Sequence, residues 1–262
     1  MTESSSYPAP KAHAEGERVP QSGNFDVGGR TVDAGRGWDW IVEAFALFRR
    51  QPGMWILTVV VLGILFIAIG MIPVLGSLAS ALLFPIFGAG LMLGCKDLDQ
   101  GGTLEIAHLF AGFKRKTGDL VMIGVFNLIG WVVMALAVVA VIGGGVFMGL
   151  MRGGIEGAGL SIASMLIAAL LVAGLSVPLY MATWFAPVLI VLHDLAPGAA
   201  LKASFFACLR NWMTFLAYGV VLLVLGIVAA IPFGLGYLVL IPVLIASVYT
   251  AYRDIFCAGQ AT

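Results

Sequence analysis

Charge is what this sequence lacks: Asp, Glu, Lys and Arg make up 11% of its 262 residues, against roughly 25% in a typical soluble domain. Hydrophobic residues make up 61%. No water-facing surface can be built from that inventory, so a soluble globular protein is excluded and the solvent of most of the chain is lipid. The formal net charge is +0, and what positive charge exists collects in a few short segments, so nucleic acid is not an expected partner. Cysteine is scarce too. Cys95, Cys208 and Cys257 are odd in number and show no paired or CxxC spacing, which excludes a disulfide framework and a zinc site. Each lies near charged residues at the end of an apolar run and reads as an interfacial packing residue on the reducing side.

The residues of catalysis are equally sparse. His108 lies among apolar residues with no other His or Cys at ligand spacing, so an interfacial histidine is expected there. His193 beside Asp194 has the form of half a catalytic pair, but no nucleophile or metal partner accompanies it, and a polar pair ending a helix accounts for both. No constellation of nucleophile, base and orienting group can be named. A non-enzymatic protein is expected, with no catalytic residue, cofactor or metal. No ionisable residue falls well inside any predicted span, which also disfavours a proton-driven transporter.

What the chain does have is long apolar runs behind short aromatic and basic segments. No charged residue occurs between Arg50 and Lys96, about twice the ~20 residues needed to cross a bilayer core. Pro73 and Gly76 near its middle supply a break, giving spans at about Trp55 to Ile72 and Leu78 to Gly94. A third span is expected from Leu120 to Ile142, loosening at Gly143 to Gly145 and Gly149, with Arg152 and Glu156 after it. Gly157 to His193 is too long for one upright helix and short for two. One tilted, kinked span from about Leu160 to Leu192 is expected, bent at Pro178 and Pro187, with Ser176 available to the freed backbone. Pro232, Gly234 and Gly236 divide the last run into spans at about Trp212 to Ile231 and Phe233 to Tyr252.

Ahead of the first span, Trp38, Ile41, Val42, Phe45 and Phe48 fall at the spacing of one helix face, opposed by Arg36, Asp39, Glu43, Arg49 and Arg50. Such a helix lies in the headgroup plane with its rings toward acyl chains and its Arg pair toward phosphates. The segment recurs. Phe45, Phe48, Arg49 and Arg50 align with Phe110, Phe113, Lys114 and Arg115, and more weakly with Phe206, Leu209, Arg210 and Asn211. The second stub has Thr103 as its N-cap after a polar loop from Asp97 to Gly102. The fold expected is an all-α polytopic membrane protein: six transmembrane helices as three repeats of an amphipathic interfacial helix plus a helical hairpin, over residues 35–252. Residues 1–34, rich in Ser, Pro, Gly and charge, read as a disordered tail. No apolar stretch of signal-peptide kind occurs before Met54, and residues 253–262 read as a second short tail.

With six spans, both ends share one side, and every Lys and Arg but Arg152 falls on it. The positive-inside rule makes that side cytoplasmic in a bacterial inner membrane. Gly90 with Gly94, and Gly145 with Gly149, have the GxxxG spacing that permits close helix approach, whether within the chain, in a homo-oligomer or with a membrane-protein partner. Asn127, Trp131, Tyr180 and Trp184 are the polar or amphipathic residues best suited to line a path. Arg49, Arg50, Lys114, Arg115, Lys116, Lys202 and Arg210 are the candidate contacts to anionic membrane lipids, each worth about 1 kcal/mol near an anionic surface; fixing topology explains them equally well. Two functions remain open: organising lipid or partner proteins at the cytoplasmic face, or acting as a permease for a small neutral or hydrophobic solute through the cleft between repeats.

The aromatic-basic stub, the glycine-rich stretch Gly88 to Cys95, and the run from Phe185-Ala186-Pro187 through His193-Asp194 to Cys208-Leu209-Arg210-Asn211-Trp212 together resemble a family of uncharacterised bacterial six-span inner-membrane proteins, over about Gly35 to Tyr252. The stub-plus-hairpin plan is also distantly similar to the membrane domain of some glycerophosphodiester phosphodiesterases, whose catalytic barrel has no counterpart here. Neither resemblance supplies functional residues.

Overall fold

The computed structural model describes residues 25–153 and 162–257. Across them run α1 (Arg36–Arg50), α2 (Pro52–Gly70), α3 (Leu75–Asp99), α4 (Ile106–Leu109) with a 3-10 turn at Ala111–Phe113, α5 (Thr117–Gly153), α6 (Ile162–Thr183), α7 (Ala186–His193), α8 (Pro197–Arg210), α9 (Trp212–Ala230) and α10 (Tyr237–Phe256). Six stretches are long and apolar enough to cross a membrane: α2, α3, α5, α6 together with α7, α9 and α10. The protein is an all-α, multi-pass membrane protein. In lipid, each span must satisfy its backbone internally, and that constraint explains where the helices outrun the expected spans. Helix α5 passes straight through Gly143 to Gly145, since loosening there would strand amides in hydrocarbon. Its 37 residues make about 55 Å at ~1.5 Å per residue, well over the ~30 Å hydrocarbon core.

The two outer hairpin turns of the first and third units share one feature, a positive-φ residue directly after a proline. Val74 after Pro73 and Phe233 after Pro232 both take left-handed backbone, at φ 64° and φ 54°. In each hairpin a glycine then admits the preceding helix. A Cβ on Gly236 would lie 2.7 Å from the Ala229 carbonyl oxygen, and a Cβ on Gly76 would collide with that of Ile69, also seven positions earlier. The repeat predicted from the aromatic-basic stubs thus extends to the opposite ends of the hairpins.

Three expectations need correction. Helix α1 is not held by lipid alone: Trp38, Val42 and Phe45 are exposed, as a face toward acyl chains requires, but Ile41 and Phe48 of the same expected face are buried together with Trp40, Ala44 and Leu47 against α9 and α10. Gly37 is why it can sit so close, since a Cβ there would lie 2.7 Å from the Thr214 carbonyl oxygen. The second stub is a four-residue helix and a 3-10 turn rather than a long amphipathic helix, and its N-cap is Glu105, not Thr103. Asp97 and Asp99, expected in a loop, belong to the last turn of α3.

The fourth span bends at Pro187 but not at Pro178, which α6 carries without a break. The helix stops at Thr183, and α7 restarts at Ala186. Ser204 of α8 closes the gap: its hydroxyl accepts the Phe185 N–H at 3.0 Å and donates to the Met181 carbonyl at 2.7 Å. Ser176, the expected helper, donates to Ala173 within its own helix. The side chains of Arg152 and Glu156, and residues 1–24 of the predicted tail, lie outside the described residues. Residues 25–34 are held against the bundle, with the Val32 N–H donating to Asn211 Oδ1 at 2.8 Å and Phe25 forming an antiparallel bridge with Cys257.

Candidate functional site

Two places concentrate polar chemistry: the charged end of the bundle and a cavity at its middle. At the charged end α10 runs past the expected Tyr252 to Phe256, which carries Arg253 and Asp254 onto the bundle. The Asp254 side chain is 3% exposed. Its carboxylate accepts from the Arg30 guanidinium, from Arg36 Nε at 2.7 Å and from Trp40 Nε1 at 2.8 Å. Paired with Asp254, the Arg36 guanidinium is held above its usual pKa. On the next side of the helix, Arg253 donates to both Asp99 oxygens at 2.9 and 2.8 Å and to Glu43 at 2.7 Å, and Arg36 reaches Glu43 at 3.3 Å. With Asp39, 3.1 Å from Arg36, seven charged side chains thus form one connected network joining the 25–34 segment, α1, α3 and α10. Every carboxylate in it faces a cation, which is what keeps buried charge tolerable.

That network absorbs residues the sequence reading had placed elsewhere, and neighbouring bonds absorb some of the seven candidate lipid contacts. Arg50 donates to the Leu98 carbonyl at 2.6 Å, Arg210 to the Gly28 carbonyl at 3.0 Å, and Lys116 pairs with Asp194 at 3.3 Å. Arg49, Lys114, Arg115 and Lys202 are exposed and have no partner among the described residues. Exposed rings accompany them: Phe45 one turn before Arg49 and Phe206 one turn after Lys202, with Phe110 and Phe113 ahead of Lys114.

The two histidines among the described residues take structural positions. His108 Nδ1 accepts the Glu105 N–H at 3.0 Å and its Nε2 lies 3.6 Å from Asp97. His193 stacks on Phe25 with ring centroids 3.5 Å apart and shares a hydrogen bond with the Tyr252 hydroxyl. That hydroxyl also accepts from the Cys257 thiol at 3.3 Å. Asp194 takes a left-handed C-cap and turns to Lys116, so the pair divides rather than acting together.

Gly90 and Gly94 are used inside the chain. A Cβ on Gly90 would lie 2.9 Å from the Leu109 carbonyl, and one on Gly94 would lie 2.6 Å from Leu104 Cδ1. They seat the second stub on α3, and a neighbouring copy has no access to that face.

The cavity holds about 380 Å³ and takes a wall from every span: Phe66 of α2, Phe87 of α3, Asn127 of α5, Tyr180 of α6, Tyr218 of α9 and Val248 of α10 are among its lining residues. Of the four residues expected to line a path, Asn127, Tyr180 and Trp184 do so; Trp131 stands behind, edge-on to Tyr180 at 6.1 Å. The lining contains no Asp, Glu, Lys, Arg or His. Its polar groups divide into two kinds. The Tyr218 hydroxyl is 2.6 Å from the Ser247 hydroxyl, and Thr183 donates to the Leu179 carbonyl at 2.9 Å. Asn127 Oδ1 and Trp184 Nε1 are buried with no hydrogen-bond partner, a state costing about 1 to 3 kcal/mol per group. Trp55 Nε1 and Thr58 Oγ1 are also unpartnered, but neither lines the cavity. Sequence reasoning could name Asn127 and Trp184 as polar residues in apolar runs; that both line one cavity depends on the break at Trp184-Phe185, which no local pattern specifies.

No family model and no solved structure matches the chain, so no link to the phosphodiesterase membrane domain is shown. A probable inner membrane protein of Burkholderia thailandensis is 32% identical over 215 residues, covering 79% of this chain and 78% of its own length. The chain accordingly belongs to this family of bacterial inner-membrane proteins.

Proposed function

We propose that this is a non-enzymatic inner-membrane protein, with both termini cytoplasmic, that gathers anionic lipid at its charged end. The observation that carries the reading is the division of its cations. Arg50, Lys116 and Arg210 are spent on internal bonds, whereas Arg49, Lys114, Arg115 and Lys202 stand exposed beside exposed phenylalanines. A ring that seats in the acyl boundary and a cation that reaches the phosphate are the two halves of interfacial lipid contact, and each cation adds about 1 kcal/mol of attraction. The test is Lys114→Gln with Arg115→Gln, leaving Lys116 and its ion pair in place. Correctly inserted double mutant should retain less phosphatidylglycerol and cardiolipin than wild type on purification. Unchanged lipid would sink the reading, leaving the cations as topology signals.

A second reading is supported by the cavity at the meeting of the six spans: passage of a small neutral or hydrophobic solute. Uptake into proteoliposomes, compared with Asn127→Leu protein, separates it from the first.

A further inference from the structure

We propose that the central cavity is a binding site for an uncharged, largely aliphatic molecule carrying a hydroxyl group. The proposal shares its cavity with the second reading above but requires no transport.

The walls set the first limit. All six spans contribute to walls that are mostly apolar, and no Asp, Glu, Lys, Arg or His faces the space. A carboxylate, phosphate or ammonium there would lose its hydration with no countercharge to replace it. The ligand is neutral.

The unpartnered atoms set the second. Asn127 Oδ1 is a buried acceptor that needs a donor, and Trp184 Nε1 a buried donor that needs an acceptor. A hydrocarbon supplies neither. A ketone or ether supplies only an acceptor. A hydroxyl can meet either need, with an O–H to give and lone pairs to receive, and does so without charge at neutral pH. The indole is held in place for this: Trp184 packs edge-on to Phe215 and Tyr218, at 6.1 and 6.4 Å, and Ser204 fixes the break in the helix beside it.

Size sets the third. About 380 Å³ is the room of about a dozen waters at ~30 Å³ each. That accommodates a medium-chain alcohol and excludes a whole two-chain phospholipid.

The experiment uses the full-length protein in phosphatidylcholine nanodiscs with a diazirine-bearing medium-chain alkanol as photoprobe. 1-Decanol, decane and decanoate serve as competitors, and the labelled peptides are read by mass spectrometry. Label is expected within 84–92, 123–127 and 183–188. Decanol should displace it at about tenfold lower concentration than decane, the ratio one net hydrogen bond supplies, and decanoate should displace it least. Asn127→Leu should reduce the preference for decanol over decane, and Asn127→Leu with Trp184→Phe should abolish it, while label at the same peptides persists; Trp184→Phe alone provides the first comparison should Asn127→Leu fail to fold. Absence of label from these segments in wild type overturns the proposal, as does equal competition by decane or better competition by decanoate. Wild type that stays unlabelled while Asn127→Leu is the more stable protein assigns water to the cavity and overturns it as well. Alcohol-selective labelling without proteoliposome uptake would remove the permease reading and leave the binding site standing.

Discussion

Arg36 Nε and Asp254 Oδ2 lie 2.7 Å apart although 218 positions separate them in the chain. Asp254 also receives Arg30 and Trp40, so one buried carboxylate joins the first described segment, the first helix and the last. Replacing it by alanine leaves two guanidinium groups and an indole N–H without their acceptor. Asp254→Ala should cost about 1 to 3 kcal/mol, the scale of a hydrogen bond to a charged group lost together with a buried indole donor left unpaired, read as an earlier unfolding midpoint in a mixed-micelle SDS titration. Lys202→Ala, which severs no internal bond, should leave the midpoint in place. Equal midpoints for the two variants would show that the network does not hold the charged end together.

Gly90 and Gly63 make a matched pair for the packing argument. A Cβ at Gly90 meets the second stub's backbone, whereas one at Gly63 of α2 meets nothing within 4 Å. Gly90→Ala should cut the monodisperse fraction in size-exclusion chromatography severely. Gly63→Ala should match wild type or exceed it, since alanine gains about 1 kcal/mol of helix propensity over glycine. Similar profiles for both would mean that α3 and the second stub are not in contact.

The cysteines differ in access. Cys208 is buried on α8, and burial pushes its thiol up to about 12, a contact with Ser204 offsetting part of the rise; free thiols titrate near ~8.5. Alkylation needs the thiolate, so a raised value suppresses reaction at pH 8. Cys257, partly exposed and only raised in direction by its own burial, should react first with a permeant maleimide and faster as pH climbs. Cys208 should wait for unfolding. Equal rates in the folded protein would contradict the packing of α8.

Orientation is tested by reporter fusion. Alkaline phosphatase joined after Gly154 should be active and joined after Ala261 inactive, because the positive-inside rule sends the Lys- and Arg-rich end to the cytoplasm. The reverse pattern inverts the topology.

Much of this architecture was legible in the sequence because lipid makes its demands locally. Uncharged run length gave the spans, and Pro73 and Pro232 gave two of the turns. Long-range pairing left no such trace. The i, i+3, i+4 pattern turned Trp38, Val42 and Phe45 toward acyl chains, and they are exposed; it gave no sign of the buried side centred on Trp40, whose partner Asp254 lies near the other end of the chain. Arg253 and Asp254 looked like the start of a tail because hydropathy falls there, and nothing local says that α10 continues into a ring of cations. Of the candidate cations, Arg50, Lys116 and Arg210 could not be told from Arg49, Lys114, Arg115 and Lys202, since their carbonyl and carboxylate partners come from other elements. Asn127 and Trp184 were visible as polar residues in apolar runs, but their convergence depends on Ser204 of α8 closing a helix break.

The bond from Asp254 to Arg36 also sets an order of events at the ribosome. α1 is synthesised early and emerges with Arg36 and Trp40 unpartnered, and their acceptor is translated only after five spans have been delivered to the membrane. Until then α1 has neither Asp254 nor the α10 face that buries Trp40. Nascent chains stalled before Tyr237 should therefore expose α1 to protease, and release of the completed chain should protect it, which makes closure of the charged end a late, post-insertion step of biogenesis.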